Sequence, residues 1–228
     1  MRIAIILTTD SRSKSYIQKL LQNKIQIDEI ILMNNKNPMR DFTNECIIQS
    51  KNQGFDISQS VVETLNENKI KYKEFDFNDI NDSRLIEYIK GINVDFCIFT
   101  GGGVLKDEIL TCGPKFVHFH PGIVPDYRGS TCFYYSIINQ NNCGVTAYIM
   151  NKNLDTGDII HQRVFPKPAH KFVDDVYDAY IRSETLIDVL KNDYLKKSQF
   201  KKQDESSGNT YFIIHPILKH IAILDCIN

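Results

Sequence analysis

The chain has 228 residues, 42% of them hydrophobic and 24% charged, which fits one ordinary to large globular domain and excludes a disordered or fibrous chain. A formal net charge of −1 supplies no global attraction to nucleic acid. Six cysteines (Cys46, Cys97, Cys112, Cys132, Cys143 and Cys226) show no C-x-x-C spacing and read as reduced cytoplasmic thiols; the apolar run 3–7 is too short for an export signal or a membrane span.

Residues 2–9 (RIAIILTT) form a continuous apolar strand of the kind buried on both faces, and 13–23 follow with helical spacing at Ile17, Leu20 and Leu21. A second strand is predicted at 28–34, and the polar connection 35–54 has no clear pattern. A helix over 56–66 carries Ile57, Val61, Val62 and Leu65, and a third strand covers 71–77. Residues 83–90 place Leu85, Ile86 and Ile89 on one stripe before a fourth strand at 95–100. This alternation predicts an α/β fold, a Rossmann-like, mostly parallel sheet with helices on both faces. Ligands in such sheets bind beyond the carboxyl ends of strands.

One such end is Thr100-Gly101-Gly102-Gly103-Val104-Leu105, whose glycines leave backbone amides open to a flat, amide-like heterocycle. A phosphate loop is the competing reading, but neither G-x-G-x-x-G nor G-x-x-x-x-G-K-[ST] is present. In the first strand-to-helix turn, Ser11 and Arg12 stand at a helix start, where they fit either a phosphate or sugar oxygen or a plain helix cap.

The richest stretch is 115–129, KFVHFHPGIVPDYRG. Phe116, Val117 and Phe119 make a short buried strand that ends at Pro121-Gly122, and period-two alternation sends His118 and His120 to one face at its mouth. Tyr127, Arg128 and Ser130 follow on a loop. A strand at 144–151 leads to the tight turn Asp155-Thr156-Gly157-Asp158, whose first carboxylate can reach an imidazole on the neighbouring strand.

The ordered motifs HFHPG, VPDYRGS, GVTAYIM and LDTGDII resemble the 10-formyltetrahydrofolate-dependent formyltransferases, and among them most closely the nucleotide-sugar N-formyltransferases. The resemblance is strong over 95–165. It implies the formyltransferase fold and a catalytic Asn, His and Asp. His120 matches the histidine and Asp155 the acid, whereas His118 stands where the family has asparagine, the residue that donates an amide N–H to the formyl oxygen. A histidine can donate there through a ring N–H.

By the same resemblance Gly102, Gly103, Val104, Leu105 and Asp158 belong to the folate pocket. Ser11, Arg12, Tyr127, Arg128 and Ser130 are expected to meet the acceptor; Arg128 either shapes that pocket or pins the loop. The expected acceptor is the primary amine of a nucleotide-linked amino sugar. A methionyl-tRNA enzyme would need a further basic RNA-binding domain, and a glycinamide ribonucleotide enzyme a glycine loop near Thr8. No metal, nucleic acid or membrane is called for. A rival of another class is a zinc hydrolase with His118, His120 and Asp155 as ligands.

Beyond Phe165, a long helix is expected over 174–197, closing a catalytic domain of residues 1–197. In the C-terminal extension 198–228, residues 203–209 read as a flexible linker. Residues 211–224 (YFIIHPILKHIAIL) are too apolar for a free tail. They pack back on the domain or form a homodimer interface, and His215 and His220 within them are structural.

Overall fold

A computed structural model describes residues 1–34, 41–77, 79–101, 103–197 and 199–227. The chain folds as two compact units, Met1–His118 and Phe119–Asn228.

The first unit alternates as the sequence predicts: β1 (Ile3–Leu7), α1 (Ser11–Gln22), β2 (Glu29–Met33), α2 (Asn44–Asn52), α3 (Val61–Glu67), β3 (Lys73–Phe75), α4 (Ser83–Gly91), β4 (Phe96–Phe99), α5 (Asp107–Leu110) and the start of β5 (Lys115–His120). β1 pairs in parallel with β2 and β4, β2 with β3, and β4 with β5. Every residue of β1 is buried, as its unbroken apolar run requires.

Helix starts are set by side-chain caps: Asp10 accepts from the Ser13 amide at 2.8 Å, and Ser60 with Glu63 forms a capping box. Each such cap is worth about 1 kcal/mol. The box also explains why the predicted 56–66 helix begins only at Val61. The patternless connection contains α2, capped by Thr43, while 35–40 lie outside the described residues.

Within the first unit the strands are hydrogen-bonded in the order β3-β2-β1-β4-β5. The second unit adds β6 (Arg128–Gly129), α6 (Cys132–Gln140), β7 (Asn142–Ile149), β8 (Ile159–Pro166), α7 (Asp178–Lys191), β9 (Thr210–Tyr211) and α8 (Pro216–Ile227). β7 and β8 are antiparallel, and α7 packs on both. The expected helix over 174–197 is broken: a π-helical turn covers Val173–Tyr177, and Asp193 takes a left-handed conformation after α7.

Residues 203–209 are not a flexible linker. The Arg128 amide donates to the Asn209 carbonyl and the Ser130 amide to the Tyr211 carbonyl, so β9 pairs with β6 in parallel. Gly208, at φ +84°, lies where a Cβ would collide with the Pro125 carbonyl. The polar composition of this stretch hid its partners, which lie in a loop some eighty residues earlier. The tail then returns through α8, which packs on α6 and buries Ala222 and Cys226 while leaving Phe212, Ile213 and Ile217 exposed.

Candidate active site

His120 closes β5 and is 2% exposed, not open at a strand mouth as the sequence suggested. Its Nε2 lies 2.8 Å from the Tyr127 carbonyl oxygen, and its Nδ1 lies 3.4 Å from Oδ2 of Asp155. A carbonyl only accepts, and so does the Asp155 carboxylate, so each ring nitrogen faces an acceptor and the ring proton can serve either one. Burial pushes the His120 pKa down, against the opposing pull of Asp155. Burial thus opposes a charge on the ring, while an acceptor stands at each of its nitrogens.

Asp155 sits at φ +53° in the turn between β7 and β8, a left-handed position that aspartate tolerates better than most residues. Both of its oxygens are engaged. Oδ2 accepts from the Gly129 amide at 2.6 Å and Oδ1 from the Tyr148 hydroxyl at 2.6 Å. These short bonds fix the direction of the carboxylate. Tyr148 is buried on β7, and burial beside Asp155 drives its own pKa well above the usual range, so it remains a donor. Gly157 completes the turn, because a Cβ there would collide with the Ile149 carbonyl.

The strand end is secured from α7. Arg182 donates to Asp178 at 2.7 Å and to the Phe119 carbonyl at 2.8 Å, and the pair is buried. Thr146, fully buried on β7, donates to the Gly122 carbonyl at 2.7 Å and accepts from the Val124 amide at 3.2 Å, holding the loop after His120.

Of the residues expected to meet an acceptor, three are engaged by the C-terminal segment. Tyr127 is 4% exposed and stacks on Tyr211 with ring centroids 5.3 Å apart. Arg128 donates to Gln203, to the Asp204 carbonyl and to the Ser207 carbonyl, so loop-pinning is the alternative this geometry realises. Ser130 is held through its backbone. Asp158 is half-buried, and its carbonyl accepts from the Ile149 amide at 2.9 Å.

In the first unit, His118 lies against Phe99, with Nδ1 3.5 Å from the Phe99 carbonyl oxygen and ring centroids 5.7 Å apart. Ser11 opens α1, but the cap is Asp10, which also meets the Arg12 guanidinium at 3.3 Å. After β4, Gly103 takes φ +112°, Val104 is 83% exposed and Leu105 is buried. Gly102 lies outside the described residues. The Asn81 amide anchors this segment, donating to the Val104 carbonyl at 2.9 Å and accepting from the Lys106 amide at 2.8 Å.

Sequence reasoning missed Asn81, Thr146, Tyr148, Asp178, Arg182 and Gln203. The readable signals were a hydroxyl at two positions of the apolar run GVTAYIM and an acid–base pair four apart on a helix. Among the described residues, no group of three His, Cys, Asp or Glu side chains is placed to hold a metal ion. None of the described helices is long and apolar enough to cross a membrane.

The comparisons with known proteins bear on this arrangement. By sequence the chain is 31% identical over 128 residues to the methionyl-tRNA formyltransferase of Citrifermentans bemidjiense, a match covering 53% of this chain and 40% of that one. It is 27% identical over 148 residues to the same enzyme of Finegoldia magna, covering 63% and 47%. The matched stretch is thus less than half the length of these curated relatives.

By structure, a sugar N-formyltransferase from Shewanella sp. aligns with a TM-score of 0.62 at 18% identity, over 99% of this chain and 88% of that one. The N-formyltransferase of Helicobacter canadensis, solved with folinic acid and dTDP-3-aminofucose, aligns with a TM-score of 0.62 at 18% identity, over 100% and 81%. Glycinamide ribonucleotide transformylase 1 from Symbiobacterium toebii aligns at 0.61 and 13% identity, over 89% and 93%. These likenesses show the fold. The sequence profile of the Formyl transferase family matches residues 1–189, most of the chain, and the protein therefore belongs to that family.

Proposed function

We propose that this chain transfers the formyl group of 10-formyltetrahydrofolate to the primary amine of a nucleotide-linked amino sugar in the cytoplasm, with no metal required. The observation that carries the reading is the His120–Asp155 pair at 3.4 Å, with both oxygens of the acid held by Gly129 and Tyr148.

In the reaction the neutral amine attacks the formyl carbon, the bond from that carbon to N10 breaks, and the proton lost by the amine ends on N10 of tetrahydrofolate. The amine takes the place of the Tyr127 carbonyl at Nε2 of His120. The ring proton then lies on Nδ1, toward Asp155, and Nε2 is free as the base. His118 supplies a donor to the developing oxyanion. A neutral His118 that donates Nδ1–H to the Phe99 carbonyl has only an acceptor left at Nε2, so His118 acts as the imidazolium or releases that bond.

The folate segment is residues 102–105, with Asp158, and Ser11 and Arg12 are available to the nucleotide. The amino-sugar acceptor is supported by the absence of a glycine loop near Thr8 and by the acceptor present in the Helicobacter canadensis structure. A second reading, methionyl-tRNA as acceptor, is favoured by the names of the curated sequence relatives.

The test is incubation with 10-formyltetrahydrofolate and a panel of nucleotide-linked amino sugars, glycinamide ribonucleotide and methionyl-tRNA, reading product mass. Formylation of an amino sugar is expected. Formylation of methionyl-tRNA alone would establish the second reading, and silence across the panel would overturn both.

A further inference from the structure

We propose that Gln203, which lies beyond the stretch matched by the family profile, is a positioning residue for the acid–base pair, tying the Asp155 turn to the Arg128 loop. The proposal rests on the reading of His120 and Asp155 given above.

The side-chain amide of Gln203 is used completely. Its Nε2 donates to the Asp155 carbonyl at 3.0 Å and to the Gly157 carbonyl at 2.7 Å. Its Oε1 accepts from Nε and Nη2 of Arg128, both at 3.3 Å. A primary amide offers two donor hydrogens on one atom and two acceptor lone pairs on the other, and here all four are matched. No other side chain of this length does both. Glutamate would satisfy the guanidinium and face two carbonyls with acceptors only, lysine would satisfy the carbonyls and repel the guanidinium, and asparagine is too short to span them.

What Gln203 joins is what determines the direction of the acid. Asp155 holds a left-handed φ of +53°, and its turn is anchored by the two carbonyls that Gln203 grips. Arg128 precedes Gly129, whose amide donates to Oδ2 of Asp155, the oxygen that faces His120. Arg128 also follows Tyr127, whose carbonyl meets the other ring nitrogen. One amide thus fixes both flanks of His120 from outside. It does so from a segment that also holds the loop through the β6–β9 pairing, the Arg128 bonds to Asp204 and Ser207 and the stacking of Tyr211 on Tyr127.

The experiment compares Gln203→Met, which removes both ends, Gln203→Glu, which keeps the Arg128 end alone, and Lys202→Ala, an exposed neighbour, as control. Both Gln203 variants are expected to lower kcat on the order of tenfold to a hundredfold, the scale of a misplacement of about 1 Å, with the folate KM within about twofold. In an Asp155→Asn background, Gln203→Met should cost nothing further, because the amide acts through that acid. Additive losses, or wild-type kcat in Gln203→Glu, would overturn the proposal.

An arm that needs no turnover is NMR of the His120 ring. Its shifts and titration midpoint should move in both Gln203 variants and not in Lys202→Ala, although its charged neighbours Asp155, Arg182 and Asp178 keep their identities. A ring unmoved in folded Gln203→Glu would sink the proposal. Should no acceptor be formylated, the transferase reading falls by itself and this arm still decides the role of Gln203.

Discussion

The turn that carries Asp155 and the glycine segment after β4 both lie at strand ends, yet they are held in opposite ways. Around Asp155, the carboxylate, its backbone carbonyl and the facing imidazole all have partners within the second unit, drawn from β6, β7 and the C-terminal segment. In the first unit, the segment at Gly103 to Leu105 is held through its backbone by the Asn81 side chain, and Val104 projects into solvent. Chemistry that depends on a proton position within a few tenths of an ångström needs the first kind of construction. A backbone segment that accepts a planar ligand, the role proposed for residues 103–105, needs the second.

The contrast predicts where mutations bite, and the largest effect belongs to the pair itself. His120→Asn or Asp155→Asn should reduce kcat by about 10²–10⁴-fold with folate affinity kept, read by steady-state kinetics beside equilibrium folate binding. Equal loss of binding would show that the pair holds the ligand rather than moving a proton.

Next comes the buttress behind it. Arg182→Met leaves Asp178 buried without its partner and should lower stability by about 3–5 kcal/mol in urea denaturation, while Asp178→Leu with Arg182→Met should recover much of that loss. A single variant as stable as the parent would mean that the ion pair does not hold the Phe119 carbonyl.

The histidine that departs from the family pattern gives the third test. His118→Ala should lower kcat on the order of a hundredfold, and His118→Asn, which restores the family donor, should retain activity. Failure of His118→Asn would show that this site requires an imidazole rather than an amide donor.

A smaller change is expected at the lightly held segment. Asn81→Ala removes one exposed anchor and should raise the folate KM about fivefold, the equivalent of about 1 kcal/mol, with kcat unchanged. A fall in kcat would erase the distinction between the two regions.

The smallest effect is on stability against pH. Burial depresses the pKa of His120 and of His170, whose ring nitrogens lack hydrogen-bond partners among the described residues. The unfolded chain therefore binds more protons than the native one below the ordinary histidine pKa of about 6.5. Stability should be full above that pH and decline as pH falls from about 6.5 toward the lowered native values. His170→Phe should flatten the decline in thermal melts; an unchanged slope would assign it to His120 and the carboxylates.

Much of the first unit was legible because its signals are local. Apolar runs of strand length, helical spacing at Ile17, Leu20 and Leu21, and a stripe at Leu85, Ile86 and Ile89 mark β1 to β4, α1 and α4. The pairing of His120 with Asp155 was legible for another reason, since ordered motifs carry a resemblance even where geometry cannot be computed. The burial of His120 was not legible, because the loop that follows it turns back and brings the Tyr127 carbonyl to the ring nitrogen Nε2. Nor was the seating of residues 203–211, where a polar, glycine-containing stretch has the composition of a linker and finds its backbone partners only in the Arg128 loop.

The amino-acid sequence alone determined the strand–helix alternation, the family and the pairing of His120 with Asp155, because apolar periodicity and motif order are written along the chain. Tertiary structure alone decided that Asp155 is oriented by Tyr148 and Gly129, that Arg128 faces its own C-terminal segment, and that Gln203 spans the two loops. Apart from the Tyr148 bond, which spans seven residues, those contacts join positions 26, 48 and 75 residues apart, and no local pattern of residues encodes which distant donor will meet which acceptor.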